Sequence, residues 1–255
     1  MRNFVPHLES DMTDFGYREV EPAEKTRLVG QVFSSVADSY DLMNDLMSVG
    51  IHRLWKRAFV AGCGMRPGQR VLDLAGGTGD IAELARNRVA PNGRVLVADI
   101  NRQMLEAGRR RMDDAGRVDA FEWLQVNAEA LPFADRHFDH VTIAFGLRNV
   151  TDKPKALSEM HRVLKPGGRV HILEFSHVSP GPLARAYDVW SFKVLPRLGQ
   201  AVASDRESYQ YLAESIRRFP DQETLAGMLG EAGFERVTCE NLSAGIAAIH
   251  RGAHT

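Results

Sequence analysis

The sequence lacks a net charge and has few cysteines, and each shortage excludes a class of protein. Lysine and arginine together number 32, aspartate and glutamate 33, and the formal net charge is -1. Without a basic excess the chain has no overall field that attracts nucleic acid, so we expect no nucleic-acid substrate. Cys63 and Cys239 are isolated in sequence. This spacing predicts neither a disulfide framework nor a zinc site, and it suits a reducing, cytoplasmic compartment.

Long apolar runs are also missing. The longest stretches without a charged side chain are 175–184 and 241–250, far short of the ~20 apolar residues that cross a bilayer. The N-terminus carries scattered acids and no apolar segment typical of signal peptides, so we predict a flexible tail over 1–23. The histidines show no H-E-x-x-H or similar spacing, and no metal ion is expected.

Strand-like apolar runs alternate with helical periodicity from residue 70 onward. Strands separated by helices of this length indicate right-handed crossovers and a parallel sheet. Two short strands at the C-terminal end, joined by a glycine turn, predict an antiparallel pair at the sheet edge. We therefore predict an α/β, Rossmann-like fold with a mainly parallel seven-stranded sheet, its strands at 70–75, 94–100, 121–126, 139–145, 169–175, 235–241 and 246–250 and its helices at 79–89, 102–115, 152–164 and 221–231.

No repeat, low-complexity tract or linker interrupts the chain, so we predict a single domain over 1–255. Apolar residues at helical spacing predict N-terminal helices over 24–61. The core then covers 68–175 and 219–252. Between these parts the strand rhythm breaks, and 176–218 is predicted to be a helical insertion, a lid rich in Tyr, Trp, Phe and Arg.

The segment from Val71 to Asp80 predicts a nucleotide-type cofactor site. An apolar run that breaks into Gly77 and Gly79 and restarts as a helix brings bare backbone against a ligand. A second strand ends at Asp99, whose carboxylate suits the two hydroxyls of a ribose. The spacing Gly77-x-Gly79-x-x-Ala82 also satisfies a dinucleotide fingerprint, so an NAD-type cofactor is an alternative.

The acids around the glycines favour a different cofactor. A dinucleotide places its pyrophosphate on the helix N-terminus, yet Asp80 opens that helix and Asp73 lies at the strand end. The carboxylates of Asp73 and Asp80 would lie beside the pyrophosphate and repel it. S-adenosylmethionine has no phosphate and carries an ammonium and a sulfonium, which such acids would attract. The simpler interpretation is that Asp80 complements the helix dipole and Asp73 caps the turn.

Two further loops are expected at the carboxyl edge of the sheet. Asn127 and Ala128 follow the third strand, where an amide pair can recognise an adenine edge; alternatively Asn127 closes an Asx turn. Arg148 and Asn149 follow the fourth strand, where the acceptor of a transferred group would lie. Arg148 suits a phenolate, and Asn149 can hydrogen-bond either form of the acceptor. The alternative is a structural ion pair at Arg148.

Nine segments resemble one family, the UbiE/MenG quinone-biosynthesis C-methyltransferases. They are VFSSVA (32–37), YDLMNDLMS (40–48), GIHRLWK (50–56), LDLAGGTGD (72–80), NAEALPF (127–133), FGLRNVTDK (145–153), RVLKPGG (162–168), LEFS (173–176) and YLAESI (211–216). The resemblance covers about 24–252. It implies a class I S-adenosylmethionine-dependent methyltransferase fold and methyl transfer to a ring carbon of demethylmenaquinol and of 2-polyprenyl-6-methoxy-1,4-benzoquinol.

By residue, the resemblance implies cofactor contacts at Thr78, Asp99, Asn127 and Ala128. Many members carry a serine where this chain has Ala144, so a hydroxyl contact to the cofactor is missing there. We expect Tyr40 and the insertion to close over the acceptor ring, with Arg148 stabilising the developing phenolate. The implied partners are a polyprenyl quinol, a membrane surface touched transiently at the inner face of the cell membrane, and a quinone-biosynthesis complex. A homodimer is also expected.

Other classes remain open from the residues alone. One is a methyltransferase of the same fold that acts on another small molecule. Another is a cofactor-binding scaffold without catalysis, which would have no need of Arg148 and Asn149. Aromatic residues of the insertion, including Tyr187, Trp190 and Phe192, either guide a prenyl tail or form core.

Overall fold

The elements of the chain follow the predicted alternation closely. A computed structural model of the protein describes residues 12–36, 44, 45, 48, 50–117, 120–178, 181–203 and 206–255. The strands are β1 (Thr13–Phe15), β2 (Arg18–Val20), β3 (Arg70–Leu74), β4 (Arg94–Asp99), β5 (Glu122–Gln125), β6 (Phe138–Ala144), β7 (Leu164–Phe175), β8 (Glu235–Leu242) and β9 (Ala247–Ala253). The α-helices are α1 (Pro22–Val36), α2 (His52–Ala61), α3 (Asp80–Val89), α4 (Arg102–Asp114), α5 (Lys153–Val163), α6 (Pro182–Val189), α7 (Leu195–Ala203), α8 (Arg206–Arg218) and α9 (Gln222–Glu231).

Seven strands form one sheet in the order β5-β4-β3-β6-β7-β9-β8. The five strands from β5 to β7 are mutually parallel, and β9 runs antiparallel to both β7 and β8. The predicted antiparallel pair is present, with β8 at the edge. Strand order reverses between β3 and β6, so the crevice for a ligand lies at their carboxyl ends. The predicted fold class is confirmed.

The pleat of β3 sends its side chains to two layers of helices. Leu72 belongs to a core with α5 and α9, whereas Val71 packs on the opposite face with residues of α3 and α4. A third cluster joins α1, α2 and α8 to the ends of β7 and β9 and includes Trp55, Phe59 and Tyr209. Both faces of the parallel sheet are therefore covered, as near-continuous apolar strands require.

The predicted flexible tail is wrong for residues 13–20. These residues form the antiparallel hairpin of β1 and β2. Its turn is held by α8, where the Tyr17 N–H donates to Glu214 Oε2 at 3.0 Å, and the Phe15 ring stacks on Tyr211. A hairpin this short is not stable alone, so its order comes from contacts with a distant helix. Residues 1–11 lie outside the described part of the chain.

The start of β7 also differs from the prediction. The strand predicted over 169–175 begins at Leu164, because its glycine segment pairs with the C-terminal end: Gly167 N–H donates to His254 O at 2.6 Å. The insertion contains α6, a π-helical turn (Trp190–Val194), α7 and α8. Within the described residues, no helix is long and apolar enough to span a membrane.

Candidate active site

The loop between β3 and α3 wraps around the carboxylate of Asp99. Gly77 N–H donates to Asp99 Oδ2 at 3.0 Å, and Asn101 N–H donates to Oδ1 at 2.8 Å. Burial raises the pKa of Asp99 to about 6 against these backbone hydrogen bonds. Gly79 precedes α3 with a φ of +85°, and a Cβ on it would lie 3.0 Å from the Trp123 ring. The loop therefore needs glycine here both for its turn and for space.

A cleft of about 840 Å³, its open mouth included, lies at the carboxyl ends of β3, β4 and β6. The cleft brings together five of the predicted site residues, namely Gly77, Asp99, Asn127, Ala128 and Asn149. Helix α1 covers it with Thr26, Val29, Gly30 and Phe33.

A smaller cavity adjoins the cleft at Ala75, which lines both. Its walls include three predicted residues, Asp73, Thr78 and Ala144, together with Lys56 and Asp80. Ala75 has a φ of +48°, and Phe145 at the end of the neighbouring β6 has a φ of +56°. Two strained, non-glycine turns at adjacent strand ends are a feature of ligand sites. One ligand can thus span both spaces around Ala75.

Asp73 is the buried acid of the smaller cavity. Its Oδ1 accepts a hydrogen bond from the Thr142 hydroxyl at 2.7 Å. Its Oδ2 is buried and has no donor among the described residues. Burial raises the pKa of Asp73 to about 7, although the Thr142 hydroxyl and the Ala82 N–H oppose the shift. A buried oxygen without a partner is what a bound cation, such as an ammonium, would satisfy.

Asp80 differs from the sequence interpretation, which treated it as a free anion. Its Oδ2 lies 2.7 Å from Lys56 Nζ and its Oδ1 lies 2.6 Å from Arg111 NH1. Burial opposes its ionisation, but these two cations outweigh burial and lower its pKa to about 2. Because Asp80 is already balanced, it adds no net negative charge for a cationic ligand. The other acids that line the two spaces are Asp73, Asp99 and Glu129.

Asn127 forms the Asx turn that was the alternative to adenine recognition. Its Oδ1 accepts from Glu129 N–H at 2.9 Å. Asn127 and Ala128 nevertheless line the cleft, so the turn and a ligand contact are compatible. The turn fixes the side-chain oxygen and leaves the amide group Nδ2 as the donor.

Arg148 and Asn149 lie in a 3-10 turn (Leu147–Asn149) after β6, and only Asn149 reaches the cleft. The Arg148 side chain is 1% exposed and forms a 2.9 Å ion pair with Glu174, also 1% exposed. The same guanidinium nitrogen donates to Phe145 O at 2.6 Å. The structural ion pair is therefore present. Arg148 Nε, however, is buried without an acceptor among the described residues.

Several functional side chains were not singled out from sequence. Lys56 and Glu174 both lie in segments that carry the family resemblance, and Glu174 had a readable signal: an acid in an apolar strand needs a buried partner. Asn101 caps α4 and its Nδ2 donates to Gly30 O at 3.1 Å, which ties α1 over the cleft. Tyr40 lies outside the described residues. The described part of the chain holds no group of His, Cys, Asp or Glu arranged for a metal.

The arrangement fits S-adenosylmethionine. The cleft offers a carboxylate for a ribose at Asp99 and amide groups for an adenine at Asn127 and Ala128. The smaller cavity offers opposite charges, at Asp73 and Lys56, for an α-amino acid end. Asn149 lies in the same cleft, so an acceptor bound there would be adjacent to the donor.

Comparisons with known proteins agree with this geometry. The family model described as "ubiE/COQ5 methyltransferase family" matches residues 20–254. The chain is 59% identical over 243 residues to the Ubiquinone/menaquinone biosynthesis C-methyltransferase UbiE of Xanthomonas axonopodis pv. citri, covering 95% of this chain and 96% of the relative. The protein of the same name from Serratia proteamaculans is 58% identical over 242 residues, with the same coverage.

A solved structure has the same fold at low identity. It is a S-adenosylmethionine-dependent methyltransferase of Thermotoga maritima, described as a possible histamine N-methyltransferase, with a TM-score of 0.63 and 20% identity over 88% of this chain and 99% of that one. At this identity the likeness concerns the fold alone. The family model and the relatives are decisive for the family: the chain belongs to the ubiE/COQ5 methyltransferases.

Proposed function

We propose that the protein methylates a ring carbon of a polyprenyl quinol, in ubiquinone and menaquinone biosynthesis, with S-adenosylmethionine as donor. The observation that carries the proposal is the meeting of Asn149 with Gly77, Asp99 and Asn127 in one cleft. The relatives' names supply the acceptor class. The two acceptors are demethylmenaquinol and 2-polyprenyl-6-methoxy-1,4-benzoquinol.

The difficult step is to make the ring carbon nucleophilic. Loss of a proton from a quinol hydroxyl raises the electron density on the adjacent carbon, and a donor aimed at the resulting oxyanion stabilises it. Asn149 has an amide in the cleft and supplies such a donor. Arg148 does not line the cleft, and its buried Nε–H, which has no acceptor among the described residues, contributes in this proposal by way of a bridging water. The guanidinium of Arg148 is permanently protonated and therefore cannot accept the proton. When bound, S-adenosylmethionine supplies an activated methyl group.

The test is to incubate the protein with methyl-labelled S-adenosylmethionine and a short-chain demethylmenaquinol and to locate the label by NMR. We expect the label on the ring carbon, and a matched reaction with the benzoquinol acceptor measures the preference. A labelled methyl group on a quinol oxygen, or no transfer to either quinol, would contradict the proposal. Arg148→Lys, which keeps the charge but loses Nε–H, should lower turnover while donor affinity stays within a few fold.

The acceptor class implies contact with a bilayer, and we place that contact on α6 and the π-turn. Val189 and Phe192 are exposed by 49% and 37%. Arg185, Lys193 and Arg197 are exposed in the same stretch of the chain. Exposed apolar side chains among cations suit an anionic lipid surface.

Vesicle sedimentation tests this surface. Phe192→Glu combined with Val189→Glu should abolish binding to phosphatidylglycerol-containing vesicles, while methylation of a short-chain quinol in solution continues. Leu54→Glu is the matched control, since Leu54 is exposed by 62% on α2. Equal losses in the control would contradict the assignment. A homodimer and a quinone-biosynthesis complex stay predictions, which light scattering and co-purification can test.

A further inference from the structure

Tyr211 opens the segment YLAESI, which neither the donor site nor the lipid contact explains. It lies on α8, and its hydroxyl donates to Asn149 Oδ1 at 3.0 Å. The side chain is buried, with 5% of the residue exposed. Its ring stacks on Phe15 at a centroid distance of 4.2 Å and an interplanar angle of 17°. The phenol is thus held from two sides and cannot swing away from Asn149.

This hydrogen bond decides which half of the Asn149 amide faces the cleft. A carboxamide has an accepting oxygen and a donating NH₂ group. The oxygen is occupied by Tyr211, and no acceptor for Nδ2 is found among the described residues. A flipped amide would direct NH₂ at a hydroxyl that has no second acceptor in the described chain. The NH₂ group is therefore the half of Asn149 available to a cleft ligand.

The hydroxyl also keeps its proton. Burial raises the pKa of Tyr211 above its ordinary value, with the charge of Arg148 acting in the opposite sense. The Tyr211 phenol therefore stays protonated around neutral pH, and so it remains a donor to Asn149 there. An amide held by a histidine or a carboxylate would lack this constancy.

We infer that Tyr211 is a positioning residue, which commits the Asn149 amide to donate its N–H to a ring oxygen of the acceptor. The inference rests on the proposed function, because the acceptor oxygen is that of a quinol. A donor-only group at this position binds an oxyanion more strongly than a hydroxyl, so the contact strengthens as negative charge develops. Tyr211 thereby acts on the rate through Asn149 without touching the substrate.

A double-mutant cycle with Tyr211→Phe and Asn149→Ala tests the inference. Phenylalanine keeps the stack on Phe15 and removes only the hydroxyl. We expect Tyr211→Phe to lower kcat about tenfold, with KM for the quinol and Kd for S-adenosylmethionine within about twofold. In the Asn149→Ala background the same change should have no further effect. Asn149→Asp, which keeps an acceptor for Tyr211 but loses NH₂, should be as slow as Asn149→Ala.

Two results would overturn the assignment: an equal loss from Tyr211→Phe in both backgrounds, or a loss of donor affinity parallel to the loss of kcat. Phe15→Leu serves as the structural control, because it weakens the stack on Tyr211 without removing the hydroxyl. It should lower Tm clearly and change kcat only slightly. A readout without turnover comes from ¹⁵N NMR of the Asn149 side-chain amide. Its signals should shift in Tyr211→Phe, and unchanged signals contradict the inference even if the quinol proves to be the wrong acceptor. Failure of the wild type to methylate a quinol carbon would instead reject the proposed function.

Discussion

The donor end and the acceptor end of the cleft are held together by contacts of different range. At the donor end Asp99 accepts from Gly77 and Asn101, residues within 22 positions of it, and both donors are backbone N–H groups. At the acceptor end Arg148 pairs with Glu174 and Asn149 with Tyr211, through side chains 26 and 62 positions apart. The Asp99 contacts and the Arg148–Glu174 pair each lie within one strand-helix-strand unit. The Asn149–Tyr211 bond forms only when α8 has packed against that unit.

This difference separates two kinds of sensitivity. Backbone donors do not change with a point substitution, so the donor end tolerates variation in its surroundings. Side-chain pairs depend on both partners, and a buried charged group that loses its partner retains a large desolvation penalty. We therefore expect variants at the acceptor end to affect folding and catalysis together, and variants at the donor end to affect ligand affinity.

The largest effect is expected from Glu174→Gln. Arg148 would keep its charge in the interior without a counter-charge, and we expect the free energy of unfolding to fall by about 3 kcal/mol in a urea titration. Glu122→Gln is the matched control, because the Arg94–Glu122 pair is exposed by 72% and 53%. It should cost less than about 1 kcal/mol. Similar losses in the two variants would remove the distinction between the ends.

A smaller effect is expected from Lys56→Met at the donor end. Asp80 retains Arg111 as a partner, so the main loss is a cation beside the smaller cavity. Affinity for S-adenosylmethionine should fall about tenfold by calorimetry, since a hydrogen bond to a charged group contributes about 1.5–3 kcal/mol. Affinity for 5′-methylthioadenosine, which lacks the amino acid end, should not change. Arg57→Met, exposed on the same helix, is the control. A loss of affinity for both ligands in Lys56→Met would show that Lys56 does not act on the amino acid end of the donor.

Asp73→Asn should reveal the pH dependence of the donor end. The folded-state pKa of Asp73, about 7, lies above its ordinary value of 3.8. The folded state therefore binds the extra proton, and stability from this group falls as pH rises through that window. The stability of Asp73→Asn relative to wild type should therefore increase by about 3 kcal/mol from pH 5 to pH 8. A gain independent of pH would show that Asp73 does not titrate in this range.

The smallest effect is expected from Ala144→Ser, which would supply the hydroxyl that the family resemblance implies at this position. Ala144 lines the smaller cavity, and one added hydrogen bond contributes about 0.5–1.5 kcal/mol. Affinity for S-adenosylmethionine should rise about threefold in a fluorescence titration. Ala61→Ser on the exposed end of α2 should leave it unchanged. A weaker affinity in Ala144→Ser would mean that this wall has no room for an oxygen.

The difference in contact range also explains what could be predicted. The alternation of strands and helices, the glycine loop and Asp99 are readable because they belong to consecutive elements. The ion pair of Arg148 joins consecutive elements too, and the sequence left it open as the alternative at Arg148. The bond from Tyr211 depends on where α8 folds back, and no local pattern contains that information. The hairpin of β1 and β2 escaped prediction for the same reason, since Glu214 and Tyr211 hold it from the far end of the sequence.

The tie between Asn101 and α1 has a consequence for timing. Asn101 Nδ2 bonds Gly30 O and Ser34 Oγ, both at 3.1 Å, and so latches the helix that covers the cleft. The demethylated donor in the cleft lies beneath α1, so its dissociation requires the hydrogen bonds from Asn101 to α1 to break. We expect residence time, rather than affinity, to respond most to Asn101→Ala. The turnover number would then be limited by the rate at which α1 opens.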